Sequence, residues 1–97
     1  MKGDKMSTIT EISKKLGIPE KELVLKGVIS FIEKELRLAE GEIADLREKY
    51  DVPTKEALYE KIKAKNVESH PAWEDYITWK NKERYIDELK EYLRLLR

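Results

Sequence analysis

Leu25, Ile29, Ile32, Leu36, Ala39, Ile43, Leu46 and Tyr50 are spaced 4, 3, 4, 3, 4, 3, 4 along the chain. On an α-helix this unbroken heptad seam keeps one apolar stripe turned toward a partner helix. A strand, whose side chains alternate every second residue, has no use for it. The helix from Leu25 to Tyr50 is about 39 Å long at the helical rise, so some other long helix has to cover it. The N-terminal half is wider, because Leu23, Val24, Val28 and Phe31 add a second apolar face. The wide part is expected to pack on two sides and the narrow part on one. Gly27 and Gly41 each weaken such a helix by about 1 kcal/mol. Gly27 suits a close helix crossing, whereas Gly41 marks a flexible point.

The flanking sequence supplies the other elements. Residues 1–7 read as a loose tail. A short helix follows over 8–17, with Thr8 and Glu11 at capping-box spacing, Ile9, Ile12 and Leu16 on one face, and Gly17 as its stop. Pro19 suits the first turn of the heptad helix, which runs over 19–50. Pro53 disfavours helical geometry at Val52 and so ends that helix. Thr54 caps a second short helix over 54–65, with Leu58 and Ile62 on one face. The last helix covers 70–96. Trp79, Ile86 and Leu93 lie seven apart on it, with Leu89 and Leu96 as companions. Glu74 and Asp75 in its first turn and Arg94 and Arg97 in its last suit the helix dipole. The expected fold is a single all-α domain, an antiparallel hairpin of two long helices with two short helices. The heptad seam can be filled by the last helix of the same chain or by a second chain. The extra face at Val24, Val28 and Phe31 suggests both, giving a coiled-coil-like or bundle homodimer.

The residue inventory argues against most enzyme chemistry. No cysteine is present, so the chain offers neither thiol catalysis nor cysteine-ligated zinc. His70 is the only histidine. Val67 stands where a Glu-x-x-His motif needs its glutamate, and no calcium-loop pattern of acids around a glycine occurs. No metal site and no cofactor are expected. Ser69 adjoins His70 without any glycine elbow or oxyanion loop, and no glycine-rich phosphate loop is present. Twenty bases balance twenty acids, a poor match to the basic excess of a non-specific nucleic-acid binder. No apolar run suits a signal peptide or a membrane span, so a cytoplasmic location is expected. The absence of glutamine, with only two asparagines and abundant Lys and Glu, fits a thermophile's composition.

The stretch "HPAWEDYITWKNKERYIDELKEYL" concentrates aromatic residues on the last helix. Trp73, Tyr76 and Ile77 form one i, i+3, i+4 cluster, Trp79 begins the seam shared with Ile86 and Leu93, and Tyr85 and Tyr92 lie seven apart. Such spacing marks burial, and the same residue types are favoured protein-interface anchors. A partner-binding set of Trp73, Tyr76, Trp79, Tyr85 and Tyr92 is therefore expected.

At the other end, "EISKKLGIPEKELVLKGV" resembles a helix-turn-helix around Leu-Gly-Ile. Its would-be recognition helix, however, opens with Glu20, Lys21 and Glu22, and Lys26 stands where that motif has an apolar residue. A DNA-binding use of this segment would rest on Lys14, Lys15, Lys21 and Lys26. "LGIPEKELVLKGVISFIEKEL" is similar to the second helix of ribbon-helix-helix proteins at Gly17, Pro19, Gly27, Phe31 and Ile32, but lacks their DNA-reading strand. Over Ile9 to Leu96 the chain looks like small prokaryotic antitoxin-type proteins of toxin–antitoxin pairs. That resemblance implies a non-enzymatic module that dimerises through its long helices and wraps a partner protein, a toxin, with its C-terminal helix. A DNA-binding regulator and a structural assembly protein are the alternatives.

Overall fold

The computed structural model describes residues 4–97. Four helices follow one another: α1 (Lys5–Leu16), α2 (Glu20–Tyr50), α3 (Lys55–Lys63) and α4 (Ser69–Leu96). The described residues contain no strand, and the all-α hairpin expected from the heptad pattern is what forms.

Each boundary has a local cause. Asp4 caps α1 by accepting a hydrogen bond from the Ser7 amide at 3.1 Å. This corrects the expected Thr8 cap and seven-residue tail: residues 5–7 form the first turn of the helix, and residues 1–3 lie outside the described residues. The single Thr10 hydroxyl proton lies within reach of both the Met6 carbonyl and the Glu20 carboxylate. Gly17 ends α1 at φ 70°, where its amide and that of Ile18 reach back to the Lys14 and Ser13 carbonyls. α2 runs uninterrupted for 31 residues, past both glycines. It ends at Asp51, a non-glycine residue in left-handed geometry. There Arg47 Nε donates to the Pro53 carbonyl at 3.0 Å, and Val52 is buried. Thr54 caps α3 by accepting the Ala57 amide at 3.1 Å, as its position predicts. His70 has extended backbone angles (φ −113°, ψ 115°) inside the first turn of α4, so the steady helix starts at Pro71.

α2 and α4 form the antiparallel hairpin. Glu33 pairs with Arg97, Glu42 with Lys82, and Lys49 with Asp75, so partners descend along α4 as they climb along α2. The seam of α2 is filled from within the chain. Ile32, Ala39, Ile43 and Leu46 are buried against Ile86, Leu89, Leu93 and Trp79 of α4. α3 closes the turn end, burying Leu58 completely.

α4 ends beside Ile29 and Ile32, so the first turns of α2 overhang it. Leu25, a seam residue by spacing, is accordingly 39% exposed. α1 packs mainly on α2, and its one buried residue is Ser13. The molecule measures 61 × 30 × 17 Å, a single flat layer of helices.

Candidate functional site

The two ends of the hairpin differ. At the turn end, α3 and α4 build an aromatic corner. Trp73 stacks on Tyr76 with centroids 5.4 Å apart and planes 15° apart, because positions i and i+3 meet on one helix face. Tyr59 of α3 completes the group, 5.5 Å from Tyr76 and 6.1 Å from Trp73. The Lys63 ammonium lies 5.4 Å above the Tyr59 ring. Trp73 and Ile77 remain exposed. Tyr59 did not enter the sequence-derived set, because only tertiary packing brings α3 against α4.

Trp79 does not belong to this surface. Expected among the partner-binding residues, it is 0% exposed and lies at the centre of the hairpin core. Its indole Nε1 donates to Glu83 at 3.0 Å, and Lys55 of α3 donates to the other oxygen of that carboxylate at 2.6 Å. Glu83 thus joins the core tryptophan to the neighbouring helix, and Arg47 covers the indole face at 5.9 Å. The donation from Lys55 to Glu83, and a second to Glu56, hold its ammonium well above the ordinary lysine range. Tyr85 is half-buried and donates to Glu35 at 2.8 Å, which raises its pKa. Tyr92 is 48% exposed but about 28 Å along α4 from Trp73. The five expected partner-binding residues therefore divide among the aromatic corner, the core and the far end.

Between core and corner lies a polar contact. Tyr50 and Lys49 both donate to Asp75 Oδ2, Lys49 at 2.8 Å. Burial pulls the Asp75 carboxyl up, but these two hydrogen bonds outweigh it and hold the group below its ordinary value. Burial, reinforced by the bond to Asp75, pushes the Tyr50 hydroxyl up. The contact locks α2 to α4 near the turn.

The open end carries many of the exposed large apolar side chains. Ile9, Leu23, Val24, Gly27, Val28 and Phe31 line a shallow groove between α1 and α2. Val28 also walls a second depression, with Ile32, Tyr92, Leu95 and Leu96 of α2 and α4. The two depressions form one surface through that shared residue. Phe31 is 60% and Leu95 66% exposed, and Val24 of the same groove is exposed too. Leu38, also exposed, extends a stripe in which Val24, Phe31 and Leu38 lie seven apart. The spacing of Leu38 was present in the sequence but was masked by the stronger seam beside it. Isolated exposed apolar residues are ordinary, whereas a continuous patch rimmed by charge marks an interaction surface.

The four lysines of the DNA-binding alternative are exposed on α1 and α2. Lys14 and Lys15 occupy the last turn of α1, and Lys26 pairs with Glu22 at 3.5 Å. Acidic side chains are interspersed among them. His70 is exposed, with Glu74 3.3 Å from its Nδ1. Among the described residues, no group of three or more metal-ligating side chains comes together, and no helix is long and apolar enough to cross a membrane.

A family model described as Uncharacterized protein MJ0235 family matches residues 1–97. No curated protein and no solved structure matches the chain.

Proposed function

The chain belongs to the MJ0235 family, and from its own surfaces we propose that it is a non-enzymatic protein-interaction module. The observation that carries this reading is the continuous apolar surface at the open end, from the α1–α2 groove to Tyr92 and Leu95. A small helical domain that leaves such a surface to water is under strong drive to cover it with another polypeptide. The aromatic corner of Tyr59, Trp73, Tyr76 and Ile77 is a second, separate docking point. Its rings have the chemistry of interface anchors, with polar tips that tolerate water when free. An antitoxin-type role is the more specific form of the proposal, with the aromatic corner gripping a toxin.

Affinity purification from native extract tests the proposal, comparing wild type with Leu95→Asp and with Tyr59→Ala/Trp73→Ala. The wild type retains polypeptides, its own chain included, that one variant or the other loses. Identical retention by all three proteins refutes the module reading. Binding of a toxin-like neighbouring gene product that depends on Trp73 supports the antitoxin form.

A further inference from the structure

Gly27 presents an unexplained feature in the middle of the open surface. It sits inside an uninterrupted helix, where glycine is disfavoured against alanine. Yet, apart from its chain neighbours and the backbone of its own helical turns, nothing comes within 4 Å of where its Cβ would be. The fold of one chain makes no use of the missing side chain. Gly27 lies between Val24 and Phe31 on the exposed stripe and lines the α1–α2 groove. A bare backbone flanked by large apolar side chains is suited to the close approach of another helix.

We propose that a second copy of this chain covers the open end, its α2 crossing α2 of the first at Gly27 with each Phe31 seated in the other's groove. The inference rests on the interaction-module reading and names the occupant of its main surface. Three observations select a second copy. The first is self-complementarity. A two-fold contact needs knob and socket on the same face of one molecule, and here Phe31, 60% exposed, lies beside the groove floored by Gly27.

The second is charge. The whole chain has zero formal net charge, twenty bases against twenty acids. A neutral chain meets its own copy without net like-charge repulsion and calls for no strongly basic or acidic partner.

The third is size. The chain exposes 7433 Å², whereas a compact monomer of its mass exposes about 5800 Å². Its radius of gyration is 20.0 Å, against about 12.5 Å for a compact domain of this length. A standard interface covers about 800 Å² on each partner, an area the surplus readily supplies. In this arrangement the aromatic corners lie at the two outer ends of the dimer, free to bind elsewhere.

Sedimentation velocity on the purified full chain over a wide concentration range tests the arrangement. The wild type is expected as a dimer. Gly27→Leu and Phe31→Glu each weaken self-association roughly tenfold or more while helical circular dichroism is retained. Trp73→Ala, at the distant corner, leaves it unchanged. Phe31 is solvent-facing within one chain, so its glutamate variant keeps the monomer fold even if Gly27→Leu does not. A wild-type monomer at all concentrations overturns the proposal, as does a dimer insensitive to both open-end variants or one lost with Trp73→Ala. A monomeric wild type that still captures another protein from extract leaves the interaction-module reading standing, so the two failures are distinguishable.

Discussion

The two tryptophans occupy opposite environments, and truncating each one predicts very different losses. Trp79 is 0% exposed. A tryptophan side chain buries about 150–250 Å², which at about 25 cal/mol per Å² is worth roughly 4–6 kcal/mol. Alanine keeps a small part of that, and the flanking residues Ile43, Leu46, Leu58 and Ile86 belong to the same buried cluster and cannot fully collapse into the space. Glu83 keeps Lys55 as a donor at 2.6 Å, so no carboxylate is left buried without a partner. The expected destabilisation for Trp79→Ala is about 3–5 kcal/mol. Trp73 is 44% exposed and stacked on one face only. Water replaces it without leaving a cavity, so Trp73→Ala is expected to cost about 1–2 kcal/mol. For a domain of this size each kcal/mol moves Tm by about 4–8 °C. Thermal unfolding by circular dichroism, at one protomer concentration because association shifts Tm, should therefore separate the variants by at least about 4 °C. In single-tryptophan proteins, Trp79 fluorescence should be shielded from aqueous quenchers and that of Trp73 accessible. Equal Tm losses, or a larger loss at Trp73, would refute the placement of Trp79 as the centre of the hairpin core.

Other outcomes follow from individual contacts. Thr54→Ala removes the α3 cap and should lower stability by about 1 kcal/mol, read as a lower denaturant midpoint at unchanged slope. Asp75 is held below its ordinary range by Lys49 and Tyr50 against the opposing pull of burial. Its contribution is therefore complete above the unfolded value of about 3.9 and is lost as pH falls through the lower folded value. Asp75→Asn should flatten the acid limb of stability against pH in that window, and an unchanged limb would remove the Tyr50–Asp75–Lys49 contact from the account. Tyr50 has the opposite sign. Its pKa is raised by burial and by Asp75, so its contribution is present below about 10 and is lost as pH rises through the folded value. Tyr50→Phe should accordingly lower stability near neutral pH and weaken the alkaline decline.

The hairpin was legible because it rests on one-dimensional periodicity. The 4-3 spacing from Leu25 to Tyr50 specifies a long helix with one covered stripe, and the seven-residue recurrence of Trp79, Ile86 and Leu93 specifies a second long helix able to cover it. Pro53 and Thr54 marked the break and the new start, because their backbone chemistry acts within a residue or two. Boundaries with two competing caps were not legible. Thr8 and Asp4 both suit the role, and Asp4 takes it by accepting the Ser7 amide.

What the sequence alone determined was the class of fold, the two long helices and the scarcity of catalytic groups, since each follows from residue type and spacing. Only the tertiary structure decided that the last helix of the same chain fills the seam. Which apolar residues stay uncovered was decided by the tertiary structure. Helix lengths and turn geometry set how far α2 overhangs α4, and that overhang exposes Leu25, while Val28 and Phe31 stay exposed on the neighbouring face of α2. The docking of α3 likewise encloses Trp79 while leaving Trp73 beside Tyr59. Burial is a property of neighbours in space, so two tryptophans six residues apart on one helix can face core and solvent.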